Sequence, residues 1–286
     1  MKFVKGFMGR THALLSIMLF CICMLIPVDF FQTTIGIMKD EILFFIAGIT
    51  VLVGGALLPD LDNAQSAAGS TLGPLGSICT TFMQTTSSIC WNFLHGKGDK
   101  MPPTQHRYLW HTLLIGSGIF CLFYFGMHPG DDTLISSIKN AEDFLTWLQG
   151  NSVLVFFIII LFMAILVGSD MLFSKIIKMI HIRYLKLINY VFPVLMMIYL
   201  FFLNMTHLRI LGMCLGMGYL FHPLEDCFAD HGVPILWPLP IKNKLWHRIK
   251  TPLTIETGSL ANTILDIIIL IIDIGLIVII FLTKTT

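Results

Sequence analysis

GMGYLFHPLEDCFADHGVPILWPLP, Gly216 to Pro240, is the stretch from which the rest of the chain can be read. It begins as an apolar helix of membrane grade and then, within about one turn, places His222, Glu225 and Asp226. It breaks at Asp230-His231-Gly232, and Pro234, Pro238 and Pro240 keep a helix from resuming, because proline cannot donate to the ladder. His222 and Asp226 are four residues apart and share one helix face. A histidine and carboxylates at the end of an apolar helix are costly to bury unless a cation or a partner satisfies them.

Composition extends that reading to the whole chain. Of the 286 residues, 56% are apolar and 12% charged, where globular domains carry roughly 25% charged residues. Apolar runs of about 17–25 residues match a hydrocarbon core ~30 Å thick. The expected fold is therefore all-α, a polytopic helical membrane protein forming a single integral membrane domain over 1–286. A net charge of +1 with no long basic run excludes a nucleic-acid footprint. The seven cysteines form no C-x-x-C and sit mostly in apolar runs, so they read as packing.

Seven spans are expected, at about 13–28, 42–58, 108–126, 153–173, 187–203, 208–227 and 264–282. No small-x-small cleavage pattern follows the first, which reads as an uncleaved helix rather than a signal peptide. Gly69–Gly76 reads as loop, and Ser77–Leu94 as an interfacial or re-entrant helix. Trp237 and Trp246 read as interface anchors. Asp266 and Asp273 lie seven apart on one face of the last span. With the N-terminus inside, fourteen Lys and Arg fall on cytoplasmic segments and four on outer ones. That bias satisfies the positive-inside rule and makes the arrangement N-in, C-out.

This topology brings polar residues from several spans to one depth. His12, Asp60, Asp62, His106, His111, His222, Asp226, Asp230 and His231 all fall at or just beyond the cytoplasmic end of spans one, two, three and six. Taken singly, an interfacial His or Asp is more often a solvated helix end or a cap. Convergence of separate His and Asp clusters at one depth is what that account handles badly. Mixed imidazole and carboxylate ligands suit zinc, manganese or iron better than calcium or magnesium. Arg107 is placed to hold an anionic group by a bidentate contact.

At these residues the chain resembles the YdjM-like (LexA-regulated) family of predicted bacterial inner-membrane metal-dependent hydrolases. The matching blocks are Thr11-His12-Ala13-Leu14-Leu15-Ser16, Leu58-Pro59-Asp60-Leu61-Asp62, His106-Arg107 with His111, and Gly218-Tyr219 with His222 and Asp226, followed by Gly232-Val233-Pro234-Ile235-Leu236-Trp237-Pro238. Trp110 and Thr112 stand where the family has Thr and Ser. Ala229 stands for the common Thr, and Asn262 for the usual Glu. The resemblance implies a metal site and a hydrolase, located in the bacterial inner membrane as a multi-pass protein, and names no substrate.

The functional expectation is a membrane-embedded hydrolase with a cytoplasm-facing metal site. Its metal ligands are His12, Asp62, His106, His111, His222 and Asp226, and its ion is zinc or, second, manganese. Asp60 or Glu225 is a further ligand or the general base, and Arg107 positions the substrate. The expected partners are membrane lipids, with a lipid or other anionic phosphoester or ester as substrate. The rivals are a non-catalytic metal transporter or sensor and an inactive family member acting as scaffold. A transporter needs a polar path through the membrane, and spans four and five carry almost no interior polar residues.

Overall fold

The computed structural model describes residues 9–99, 107–125, 152–180, 188–229, 232–252 and 259–283. Each of the seven apolar segments expected from the sequence coincides with a helix. These are α1 (Gly9–Leu25), α3 (Ile42–Leu57), α6 (Leu113–Phe125), α7 (Ser152–Ile180), α8 (Ile188–Phe202), α9 (Met205–Asp226) and α10 (Leu260–Leu282). Three further helices are α2 (Asp29–Asp40), α4 (Ala67–Leu72) and α5 (Pro74–Phe93). A helix keeps its backbone groups bonded within the segment, which is what a hydrocarbon surrounding demands. Among the described residues, three stretches are long and apolar enough to cross a membrane alone: Ile42–Asp62, Leu154–Phe173 and Leu260–Leu282. The pair α1–α2 meets that test only together, across a bend of 113°. The chain is a helical membrane protein.

α3 is the central helix, with its apolar stretch 78% buried against 22% for the peripheral α10. It is flanked by α1, α7 and α9, and α9 also packs on α6. The contact between α3 and α9 depends on two glycines. A methyl group on Gly218 would land on the carbonyl oxygen of Leu52, and one on Gly55 would land on that of Leu215. Small residues let helix backbones approach this closely in lipid, where packing rather than water expulsion drives association. The consequence for the site is positional, because the ends of α3 and α9 are held side by side.

Local chemistry then shapes those ends. Pro59 lacks an N–H, so α3 tightens into a 3-10 turn, Leu58–Asp62, that carries Asp60 and Asp62. The expected loop at Gly69–Gly76 is instead helical on both sides of Gly73. Ser66 caps α4 by accepting from the Gly69 N–H at 3.0 Å. Gly73 takes a left-handed φ of 55°, and Pro74 opens α5.

α5 is the helix expected over 77–94, and its polarity is inverted. Its inner face is Gly76, Thr80, Met83, Ser87 and Trp91. Leu75, Ile78, Phe82, Ile89 and Phe93 form an exposed apolar stripe at helical spacings of three, four and seven residues.

Residues 232–252 fold back over the same end. Val233 and Ile249 exchange backbone hydrogen bonds of 3.2 and 2.9 Å, and the Leu113 N–H donates to the Ile235 carbonyl at 3.0 Å. Trp237 and Trp246, read from sequence as interface anchors, are buried and stacked 4.9 Å apart. They pack with Trp91 and Tyr108 into one aromatic cluster, because the proline-rich segment turns inward over α5.

The last helix is tied to the first at Asp266. This buried carboxylate accepts from Arg10, from the Thr11 hydroxyl at 2.8 Å and from Asn262 Nδ2 at 3.3 Å. Asp273, two turns further along, is buried with neither oxygen hydrogen-bonded among the described residues.

Candidate metal centre

Four chain segments deliver the site. The first turn of α1 brings His12, the 3-10 turn after α3 brings Asp60 and Asp62, a 3-10 turn before α6 (Leu109–His111) brings His111, and the last turn of α9 brings His222, Glu225 and Asp226. His12, Asp62, His111, His222 and Asp226 are fully buried. Asp60 keeps 14% of its side chain exposed, which makes it the open edge of the group. α6 begins only at Leu113, later than expected, because Thr112 caps it by accepting from the Ile115 N–H at 3.3 Å. His111 therefore sits on a short turn rather than on the helix.

Two of the three histidines, His12 and His222, donate Nδ1 away from the cluster, while His111 Nδ1 lies inside it, 3.1 Å from His222 Nε2. His12 donates from Nδ1 to Glu225 Oε2 at 2.7 Å, His222 from Nδ1 to the Ala56 carbonyl at 2.6 Å, and His111 from Nδ1 to Asp226 Oδ2 at 2.7 Å. Each bond turns the Nε2 of its ring toward a carboxylate across the site. His12 Nε2 lies 3.7 Å from Asp226 Oδ1, His222 Nε2 3.7 Å from Asp60 Oδ1 and 3.2 Å from Asp226 Oδ2, and His111 Nε2 3.3 Å from Asp62 Oδ2. Histidines that ligate a metal characteristically donate their other nitrogen to a carboxylate or carbonyl in this way. Two ligand atoms bonded to one ion at about 2.0–2.1 Å in tetrahedral geometry lie about 3.3 Å apart. The distances across this site scatter around that value.

Charge points the same way. Among the described residues the site gathers the carboxylates of Asp60, Asp62, Glu225 and Asp226 around one guanidinium, Arg107. Asp226 Oδ1 is buried and has no hydrogen bond among the described residues, though Arg107 Nη2 stands 3.2 Å away. Buried carboxylates in such excess need a cation. The residues present fit a divalent ion: imidazole nitrogens and carboxylate oxygens gathered at one place.

Arg107 is built into the wall by its backbone. It adopts a left-handed φ of 62°, uncommon for a residue with a side chain, and its N–H donates to Asp62 Oδ2 at 2.9 Å. Its Nε and Nη1 are buried without hydrogen bonds among the described residues, so the fork retains donors for an anionic group.

Glu225, read from sequence as a second ligand or base, has both oxygens engaged, Oε2 by His12 and Oε1 by the Ser16 hydroxyl at 2.8 Å. It orients His12 from behind. His106, Asp230 and His231 lie outside the described residues. Ser16 closes the first family block but carries no assigned role there, and sequence reasoning missed Gln84. Gln84 on α5 donates to the Asp62 carbonyl at 2.8 Å, and nothing in its polar surroundings marks it in the sequence.

The departures from the family blocks serve the framework. Trp110 Nε1 donates to the Met83 carbonyl and to Thr86 Oγ1 at 3.0 and 3.1 Å, fastening the His111 turn to α5. Asn262 joins the Thr11–Asp266 cluster.

A sequence model described as YdjM inner membrane protein matches residues 7–177 and 187–284. No curated relative and no solved structure matches the chain. The match covers nearly the whole length, and the chain belongs to the YdjM inner membrane protein family.

Proposed function

From that family membership as premise, we propose that the chain is a metal-dependent hydrolase of the bacterial inner membrane, multi-pass, with its site facing the cytoplasm and a lipid or other anionic phosphoester or ester as substrate. One observation carries the reading: three buried histidines converge on a surplus of carboxylates, with His12 and His222 each donating Nδ1 out of the ligand set, to Glu225 and to the Ala56 carbonyl, and turning Nε2 inward. His12, Asp62, His111, His222 and Asp226 would hold the ion, zinc or in second place manganese.

A divalent ion supplies Lewis acidity, polarising the ester oxygen and acidifying water. The chain's own residues supply the rest. Arg107 presents buried guanidinium N–H donors to the substrate anion, and the Asp226 carboxylate beside it holds the fork in place. Asp60, at the exposed edge, either adds a ligand or accepts the proton of the attacking water. Glu225 and Ser16 keep His12 turned, and the Arg10–Asp266–Thr11 cluster fixes the start of α1 from which His12 projects.

A transporter reading is disfavoured because the ligand set gathers at one end of the helices. Among the described side chains of α7, only Ser169 and Asp170 are polar, and Asp170 accepts from Thr71 at 2.9 Å.

The experiment is metal content of detergent-purified wild type beside Asp226→Ala and His222→Ala. Near-stoichiometric zinc or manganese, lost in both variants, supports the reading, and a metal-free wild type sinks it. Hydrolysis of a phospholipid and isoprenoid-phosphate panel, abolished in the same variants, then separates an enzyme from a binding protein.

A further inference from the structure

We propose that this site takes two divalent cations bridged by Asp60, one held by His12, His222 and Asp226 and the other by Asp62 and His111, which makes a phosphoester its substrate class. The inference rests on the metal-dependent reading above and goes beyond it in number, in ligand assignment and in chemistry.

The donors do not converge on a single point. Among the described residues they fall into three overlapping triads, each with ligand atoms within 4.8 Å of one another: His12–Asp60–His222, Asp60–Asp62–His111 and His111–His222–Asp226. No residue is common to all three. Ligands on one ion lie at most about 4.3 Å apart, twice the bond length. His12 and Asp62 share no triad, so the donors spread more widely than any one triad, an arrangement that suits a pair of ions about 3.5–4 Å apart, the usual spacing of two-metal sites.

Asp60 belongs to the triad of His12 and to the triad of Asp62, so its two oxygens can serve one ion each. Asp226 Oδ1, buried and not hydrogen-bonded among the described residues, completes the set on the His12 side, 3.7 Å from His12 Nε2. Asp226 Oδ2 is engaged by His111 Nδ1, which turns that ring's Nε2 toward Asp62 and the second ion. The second ion has fewer protein ligands among the described residues, so it would be the one with coordination positions left for substrate.

Charge decides between one ion and two. With neutral histidines, the four carboxylates and Arg107 leave a formal charge of −3 among the described residues. One divalent ion leaves −1, which repels an anionic ester at the position where Arg107 is placed to receive it. Two leave +1. Two ions also clamp the attacking and leaving oxygens of an in-line displacement, which is what phosphoryl transfer requires.

The test uses the full chain in detergent micelles, loaded with manganese and desalted. Elemental analysis should find about two ions per chain, and electron paramagnetic resonance should show an exchange-coupled pair. His12→Gln and Asp62→Asn, checked for folding by size exclusion, should each lose the coupled spectrum, and a variant that keeps it overturns the ligand assignment. One ion per chain with an uncoupled spectrum overturns the pair while leaving the metal-dependent reading intact. No ion in the wild type defeats both.

Discussion

Glu225 and Asp226 are neighbours on one helix turn and do opposite jobs. Asp226 faces the histidine cluster, while Glu225 stands behind His12 with both oxygens occupied by His12 Nδ1 and Ser16 Oγ. Glu225→Gln should therefore leave the ligand set intact and weaken it. Loss of such an outer partner lowers metal affinity about 10–100-fold. Competition with a chromophoric chelator measures the change, and unchanged affinity would show that Glu225 does not orient His12.

The carboxylate surplus predicts what chelation does to the fold. An ion that binds only the native state stabilises it by about 2.7 kcal/mol at a hundred times its dissociation constant. Treating the purified protein with a chelator should lower its unfolding temperature, and restoring zinc or manganese should recover it. Asp226→Asn, which removes a charge shared by Arg107, His111 and His222, should make the melting curve indifferent to chelator.

Packing between α3 and α9 makes a prediction away from the ligands. In Gly218→Ala the new methyl group meets the Leu52 carbonyl, backbone against backbone, where no side chain can give way. Overpacking of this kind costs about 1–3 kcal/mol. Thermal unfolding in detergent should show that loss. Because the same contact sets Asp60 and Asp62 beside His222, metal content should fall along with it.

Trp110→Phe separates framework from chemistry. It removes the two hydrogen bonds to Met83 and Thr86 and should cost about 1–3 kcal/mol, read from the unfolding midpoint. Metal content per folded chain should stay at the wild-type value, since the indole hydrogen-bonds Met83 and Thr86 rather than a ligand side chain.

Much of this arrangement is visible in the residues. Apolar runs flanked by basic residues mark the long helices, because a hydrocarbon surrounding permits little else. His222 and Asp226 are paired by helical spacing alone. Spacing within one helix names Asp226 a ligand and leaves Glu225 as a second ligand or base, because the His12 and Ser16 bonds that engage Glu225 cross between helices. The inward face of α5 is equally hidden: Thr80 and Gln84 look like the solvated side of an interfacial helix until the Leu61 and Asp62 carbonyls give them acceptors to meet. The turn carrying His111 owes its shape to Thr112 and to the left-handed Arg107, and neither residue type announces it.

α5 carries no charged residue, and its apolar stripe points away from the protein while Gln84 holds the Asp62 carbonyl from within. Facing hydrocarbon, a helix so arranged would make lateral pressure in the bilayer a mechanical input to the proposed metal centre. The same chain should hold its ions more tightly in lipid nanodiscs than in short-chain detergent. Replacing Phe82 and Ile89 by Ser should erase that difference while affinity in detergent stays the same. On this arrangement the lipid around the protein serves as the fifth wall of the site.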